Sequence, residues 1–294
     1  MDIAPLNHAA VRACLGRRQS LPTLPTTFSK LMQVARDPNA SLVELAEIIS
    51  CDPILMANVL RVANSSYMGL HEPVEDLSAA ILYLGMAEIK RIALSVGSFD
   101  VFGRKGISSD FLRNIWVHSL TTGLISQQLA HAAHYEFAED AYLAGLLHDL
   151  GKLFFATFYS EVYAQVRIEV AEGRSDGIEL ESQIFGFSHL DAAAELCSHW
   201  KLPQKVASIA STHHDPSSSS DRLFSLCIAA ANVLAHKVIA DEPVEHRLPQ
   251  AQAWLAELSA NSSNPGCLGP EELENILQTE AQRAKRFEGV AALT

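Results

Sequence analysis

The stretch AYLAGLLHDLGKL, residues 141–153, decides how the rest of the chain is read. Its apolar residues make a helix around Ala141–Leu147 too hydrophobic to lie on a surface, and that helix ends on His148-Asp149. An imidazole next to a carboxylate offers a neutral nitrogen and an anionic oxygen to one divalent cation. That mixture suits iron, manganese, zinc or nickel rather than calcium, which prefers oxygen throughout. Gly151 lets the chain turn sharply, and Lys152 projects a cation able to neutralise a phosphate or protonate a leaving group.

Five of the twelve histidines fall at informative places: His118, His148, His189, His213 and His214. His118 lies thirty residues before His148 in WVHSLTTG, and each later one closes or punctuates a helix, in SHLDAAAEL and STHHDP. A site needs convergent groups, and several histidines at helix ends behind a His-Asp pair meet that requirement. The remaining seven, His8, His71, His131, His134, His199, His236 and His246, read as surface or cap residues.

Helical periodicity runs through the chain, with no sustained two-residue alternation, so the expected fold class is all-α. Ser41-Leu-Val-Glu44 reads as a capping box, and Asp52-Pro53 as a cap residue before a proline at the first helical position. A longer helix is expected from about Ser78 to Leu94, running through Gly85. The segment 101–110, containing FGRKGISSD, reads as a joint between an N-terminal helical subdomain (1–105) and a second helical subdomain with a C-terminal extension (106–294). In that second part, helices are expected from about Phe111 to Leu129, around Ala141–Leu147, after Phe155, around Leu190–Trp200 and before His213. The run Ser217–Ser220 reads as a surface loop. Beyond it come an apolar helix from Leu223, a loose stretch Asp241–Pro249, a short helix, the loop NSSNPGCLGP and an amphipathic helix from Glu271.

Composition narrows the function. With 34 acidic and 22 basic residues among 294, the formal net charge is −12. The basic pairs Arg17-Arg18, Lys90-Arg91 and Arg104-Lys105 are short and separated, so no nucleic acid is expected as a partner. Five scattered cysteines without a CxxC pair read as free thiols of a reducing compartment. The first residues lack the order of a signal peptide, and the most apolar run, 223–240, is broken by Ser225, Asn232, His236 and Lys237. It is a buried core helix, too polar to cross a bilayer. No membrane contact and a cytoplasmic location are expected.

His118, His148-Asp149 and an apolar helix carrying Asn232, in that order, resemble the HD superfamily of metal-dependent phosphohydrolases. More closely, the chain resembles the HDOD family, related to HD-GYP domains and mostly assigned to signalling. The resemblance covers about residues 20 to 235. It rests on LPTLPTTFSKLMQVARDPNASLVELAEIISCDPILMANVLRVANSSYMG, AILYLGMAEIKRIAL, WVHSLTTG, AYLAGLLHDLGKL, IFGFSHLDAAAELCSHWKLP and STHHDP. The resemblance implies an HD-like helical bundle in the second half, with one or two divalent transition-metal ions (Fe, Mn, Zn or Ni). By that resemblance His118, His148 and Asp149 hold a first metal; His189, His213 and His214 hold a second, with Asp149 as bridge. Lys152 and Asp149 are the groups that would serve catalysis. The superfamily's last aspartate falls on Asn232, a neutral and weaker ligand, and no GYP segment follows LLHDLGKLFF. The leading expectation is therefore a regulatory protein with an HD-like metal site, a protein signalling partner, and a nucleotide or other phosphate-containing ligand. A metal-dependent phosphohydrolase is the alternative, and a helix-turn-helix DNA regulator, drawn from the two short helices near Ser41 and Pro53, the least favoured.

Overall fold

The computed structural model describes residues 6–7, 9, 13, 24–37, 39–65, 71–100, 109–136, 138–173, 176–239 and 247–291. Among them are helices and no strand, so the chain is all-α. It divides into two compact units, Thr23–Gly103 with Gln278–Thr294, and Met1–Pro22 with Arg104–Leu277. Most of the sequence joint, 101–108, lies outside the described residues.

In the first unit, α1 (Thr26–Arg36), α2 (Leu42–Ser50), α3 (Pro53–Ala63) and α4 (Leu77–Leu84) pack against α5 (Met86–Asp100). Leu31, Leu45, Ile49, Val59, Val62, Ile89 and Ile92 are almost wholly buried between them. The helix starts follow local chemistry. The Ser41 hydroxyl accepts the Glu44 N–H at 3.1 Å, and one Asp52 oxygen accepts the N–H groups of Ile54 and Leu55 at 3.1 Å each. Pro53 occupies the first turn, where its missing N–H costs nothing. After α3, the Asn64 amide donates to the Val74 carbonyl at 2.8 Å and its oxygen accepts the Val74 N–H at 2.7 Å. This pairing closes the loop leading to α4.

The single helix expected over 78–94 is two. Gly85 has φ +81°, a conformation that costs glycine little, and its N–H closes α4 on the Ile81 carbonyl at 2.9 Å. A new helix starts at Met86.

The second unit is built on α6 (Ser109–Ala132), α7 (Ala138–Leu147) and α13 (Arg222–Ile239). Around these stand α8 (Leu150–Phe158), α9 (Ser160–Ala171), α10 (Gly177–Phe185), α11 (His189–Trp200), α12 (Gln204–Thr212) and α14 (Leu248–Asn261). Helix α15 (Pro270–Ala291) runs from this unit into the residues grouped with the first. By length and composition α13 is apolar enough to cross a bilayer, yet 72% of it is buried, packed against α6, α7 and α14. It is the core helix of this unit. Ser217 and Ser218 belong to a short 3-10 turn capped by Asp215, a tighter element than the expected loop. Residues 241–246 of the expected loose stretch lie outside the described residues.

Candidate metal centre

Helix packing gathers residues far apart in sequence. At the α6–α7 crossing a side chain on Gly145 would come 2.8 Å from the Gly123 Cα, so only glycine allows that approach. The crossing holds His118, in the middle of α6, against His148 at the end of α7. His148 and Asp149 form the two-residue joint between α7 and α8. Gly151, expected as a sharp turn, lies inside the first turn of α8. Its role is steric: a Cβ there would sit 1.8 Å from the His189 carbonyl oxygen. His189 is the first residue of α11, whose start is secured by a capping box between Ser188 and Asp191. His213 and His214 follow directly on α12.

Asp149 lies between two groups of imidazoles and turns one oxygen to each. Its Oδ2 is 3.2 Å from His148 Nε2, 3.6 Å from His118 Nε2 and 2.8 Å from Lys152 Nζ. Its Oδ1 is 3.5 Å from His213 Nε2 and 3.8 Å from His189 Nε2. Ligand atoms of His118, His148 and Asp149 all lie within 4.8 Å of one another, as do those of His189, His213 and His214. His118, His148, Asp149, His189 and His213 are buried; His214 is partly so. Asn232, on α13, is 3% exposed and shares a cavity of about 440 Å³ with His213 and His214. Lys152 lines a neighbouring cavity of about 450 Å³, together with Arg167, Arg247, His189 and His214.

The hydrogen bonds fit a cation at this place. His148 Nδ1 faces the Gly145 carbonyl at 2.6 Å, His213 Nδ1 the Ile209 carbonyl at 3.3 Å, and His189 Nδ1 the Glu181 carboxylate at 2.7 Å. Each acceptor assigns the proton to Nδ1 and leaves a lone pair on Nε2, directed at the Asp149 carboxylate. Lone pairs facing lone pairs repel unless a proton or a metal ion lies between them. Asp149 Oδ1, His189 Nε2, His213 Nε2, His214 Nε2 and Asn232 Oδ1 are all buried without a hydrogen-bond partner. Such groups rarely stay unsatisfied in a native interior.

Burial lowers the His213 pKa to about 3, and pushes His118 and His214 well below the imidazole value, with neighbouring histidines adding to the effect. These rings stay neutral and keep their lone pairs for a metal. Burial alone would raise Asp149, but its interactions with His148 and the Lys152 ammonium outweigh it and hold the carboxyl well below its usual range. The sign of the pH dependence follows. An unfolded chain takes up protons on His118 and His213 below about pH 6.5, where the folded chain does not. Stability is full above that value and lost as pH falls through it; Asp149 adds its own loss only at lower pH. Chelator-treated protein is expected to lose about 1 kcal/mol between pH 7.5 and 5.5 from His213, with His118 and His214 adding in the same direction. Urea midpoints across that range measure it, and a flat profile contradicts it.

Two participants escaped sequence reading. His236, assigned there to the surface or a cap, is 3% exposed and stacks on His118 with ring centroids 3.9 Å apart. Its position on the same helix as Asn232, four residues on, was the available signal. Glu181 is 2% exposed and grips His189 from the preceding helix. Nothing local distinguishes it from Glu179, the other glutamate of GIELESQIF.

A model of the HDOD domain matches residues 21–216. Among curated proteins, an uncharacterised protein of Treponema pallidum (strain Nichols) is 26% identical over 200 residues, which make up 68% of this chain and 38% of that protein. The chain thus spans well under half the length of that relative. Among solved structures, an HDOD domain protein of unknown function from Geobacter sulfurreducens superposes with a TM-score of 0.75 at 22% identity, covering 94% of this chain and 96% of that one. A protein of Marinobacter aquaeolei VT8, provisionally described as acting in signal transduction, gives 0.72 at 20% identity, over 99% of this chain and 68% of that one. A protein of Shewanella amazonensis SB2B, provisionally described as a phosphohydrolase, gives 0.69 at 22% identity, over 97% of this chain and 99% of the other. At these identities the structures speak for the fold alone. The family model spans both the capped helices of the first unit and the gathered histidines of the second, and on that match the chain belongs to the HDOD domain family.

Proposed function

We propose that this protein is a regulatory HDOD protein in signal transduction, whose second unit binds a divalent transition metal and a phosphate-containing ligand and whose first unit engages a protein partner. The observation that carries the metal is the Asp149 carboxylate facing four imidazole Nε2 atoms at 3.2–3.8 Å. His118, His148 and Asp149 would hold one ion, and His189, His213 and His214 a second bridged by Asp149. Nitrogen-rich sites with one carboxylate favour iron, manganese, zinc or nickel. A phosphate fits the cavity bounded by Lys152, Arg167 and Arg247 at the edge of the second histidine group. On the first unit Leu42, Val43, Ile54, Leu82 and Tyr83 are exposed, as a protein-binding face requires. The net charge of −12 disfavours nucleic acid.

The second reading, a metal-dependent phosphohydrolase, is favoured by Lys152, whose ammonium reaches both Asp149 and the cavity. A bound divalent ion supplies Lewis acidity at such a site. Asn232 weighs against turnover, because its amide brings no charge to help hold the ion.

Elemental analysis and titration with manganese test both readings. Wild type should carry metal, and Asn232→Asp should bind it about 10-fold more tightly, the scale of changes around a metal shell. Asn232→Asp should also bring out weak hydrolysis of an aryl phosphodiester if the second reading holds. A wild type that stays metal-free after reconstitution with iron, manganese and zinc refutes the metal site. Unchanged affinity with a lowered melting temperature would remove Asn232 from it.

A further inference from the structure

Glu181 is a buried carboxylate that no ligand set above requires. Its Oε2 accepts two bonds from His189, the backbone N–H and Nδ1–H, each at 2.7 Å. Its Oε1 accepts the Tyr163 hydroxyl at 3.1 Å, and Tyr163 is itself 1% exposed. Three helices, α9, α10 and α11, meet in this one chain of hydrogen bonds. Burying a carboxylate is expensive, and its pairing has to repay the lost hydration.

Helix capping accounts for only part of it, the bond from the His189 backbone N–H. The Ser188–Asp191 box already secures the start of α11, with Ser188 Oγ and the Asp191 carboxylate each meeting the other's backbone N–H. Beyond that backbone bond, Glu181 holds the His189 ring through Nδ1. With the proton drawn to Nδ1, Nε2 is left bare, 3.8 Å from Asp149 Oδ1. A carboxylate behind an imidazole also raises the basicity of the far nitrogen, as it does behind metal-bound histidines.

We propose that Glu181, itself oriented by Tyr163, is a positioning residue for the second histidine group: it locks His189 in the tautomer whose Nε2 lone pair faces Asp149. The consequence for metal binding rests on the reading given above; the lock does not. Glu181→Gln keeps the shape and one acceptor while removing the charge. Glu181→Ala removes the grip altogether.

Two measurements on the full chain decide it. In metal-free protein, nitrogen-15 NMR of labelled histidine should show wild-type His189 protonated at Nδ1 with a bare Nε2. Glu181→Gln should keep that tautomer, and Glu181→Ala should lose it. Wild-type His189 protonated at Nε2, or a tautomer unchanged in Glu181→Ala, overturns the proposal. Manganese and zinc titrations should then show Glu181→Gln weaker by roughly 10- to 100-fold at one of two sites, or at the single site if only one ion binds, with apo melting close to wild type. Equal affinity would overturn the role of Glu181 in metal binding even if Glu181→Ala fails to fold; the lock is overturned by a wild-type His189 protonated at Nε2. A wild type that takes up no metal defeats the metal reading, while the NMR result still decides the lock.

Discussion

Gly151→Ala should destabilise the second unit by about 3 kcal/mol or more, the upper end of what overpacking costs. The added methyl would lie 1.8 Å from the His189 carbonyl oxygen, 2.6 Å from its carbon and 2.8 Å from its Cα. All three are backbone atoms at the start of α11, so no side-chain rotation relieves the clash. Helix α8 has to move away from α11, and His189 moves with it. On an open helical position the same substitution would stabilise by about 0.5–1 kcal/mol, so the sign separates the two situations. For a unit of this size the expected fall in melting temperature is about 6–12 °C. Metal bound to the group containing His189 should be lost in parallel. A variant that melts within about 2 °C of wild type would show that the α8–α11 contact is looser than the structure has it.

The other large effect belongs to His148→Ala. His148 is fully buried, its Nδ1 is held by the Gly145 carbonyl at 2.6 Å, and its Nε2 lies 3.3 Å from His118 Nε2 and 3.2 Å from Asp149 Oδ2. No other imidazole reaches that corner from α7, so removing the ring leaves the first group with one histidine and one carboxylate. Losing an outer partner of a ligand already costs about 10- to 100-fold in affinity, and losing the ligand itself should cost more. Elemental analysis is expected to show metal in wild type and its clear loss in His148→Ala. Full metal content in the variant would exclude His148 as a ligand.

Sequence alone determined the all-α class and the chemistry worth looking for. Helix period, the Ser41 and Asp52 caps and Pro53 are local features, and short-range hydrogen bonds realise them within three residues. Residue types named the candidates for the site: five histidines and Asp149 stand out because several imidazoles at helix ends accompany the His-Asp pair. Packing decided everything that depends on which atoms meet. The helix expected across Gly85 breaks there because the chain takes φ +81°, a choice that the periodicity around it does not encode. Gly151 became a contact rather than a turn once α11 lay against α8. His236 left the surface for a ring stack 118 positions back along the chain, and Glu181 acquired its meaning only when α10 and α11 placed it behind His189. The division of Asp149, one oxygen to each histidine group, is likewise a product of α6, α8, α11 and α12 converging. Sequence patterns report a residue's own turn of helix; a site assembled from several helices is set by the close packing of their faces, which no single stretch contains.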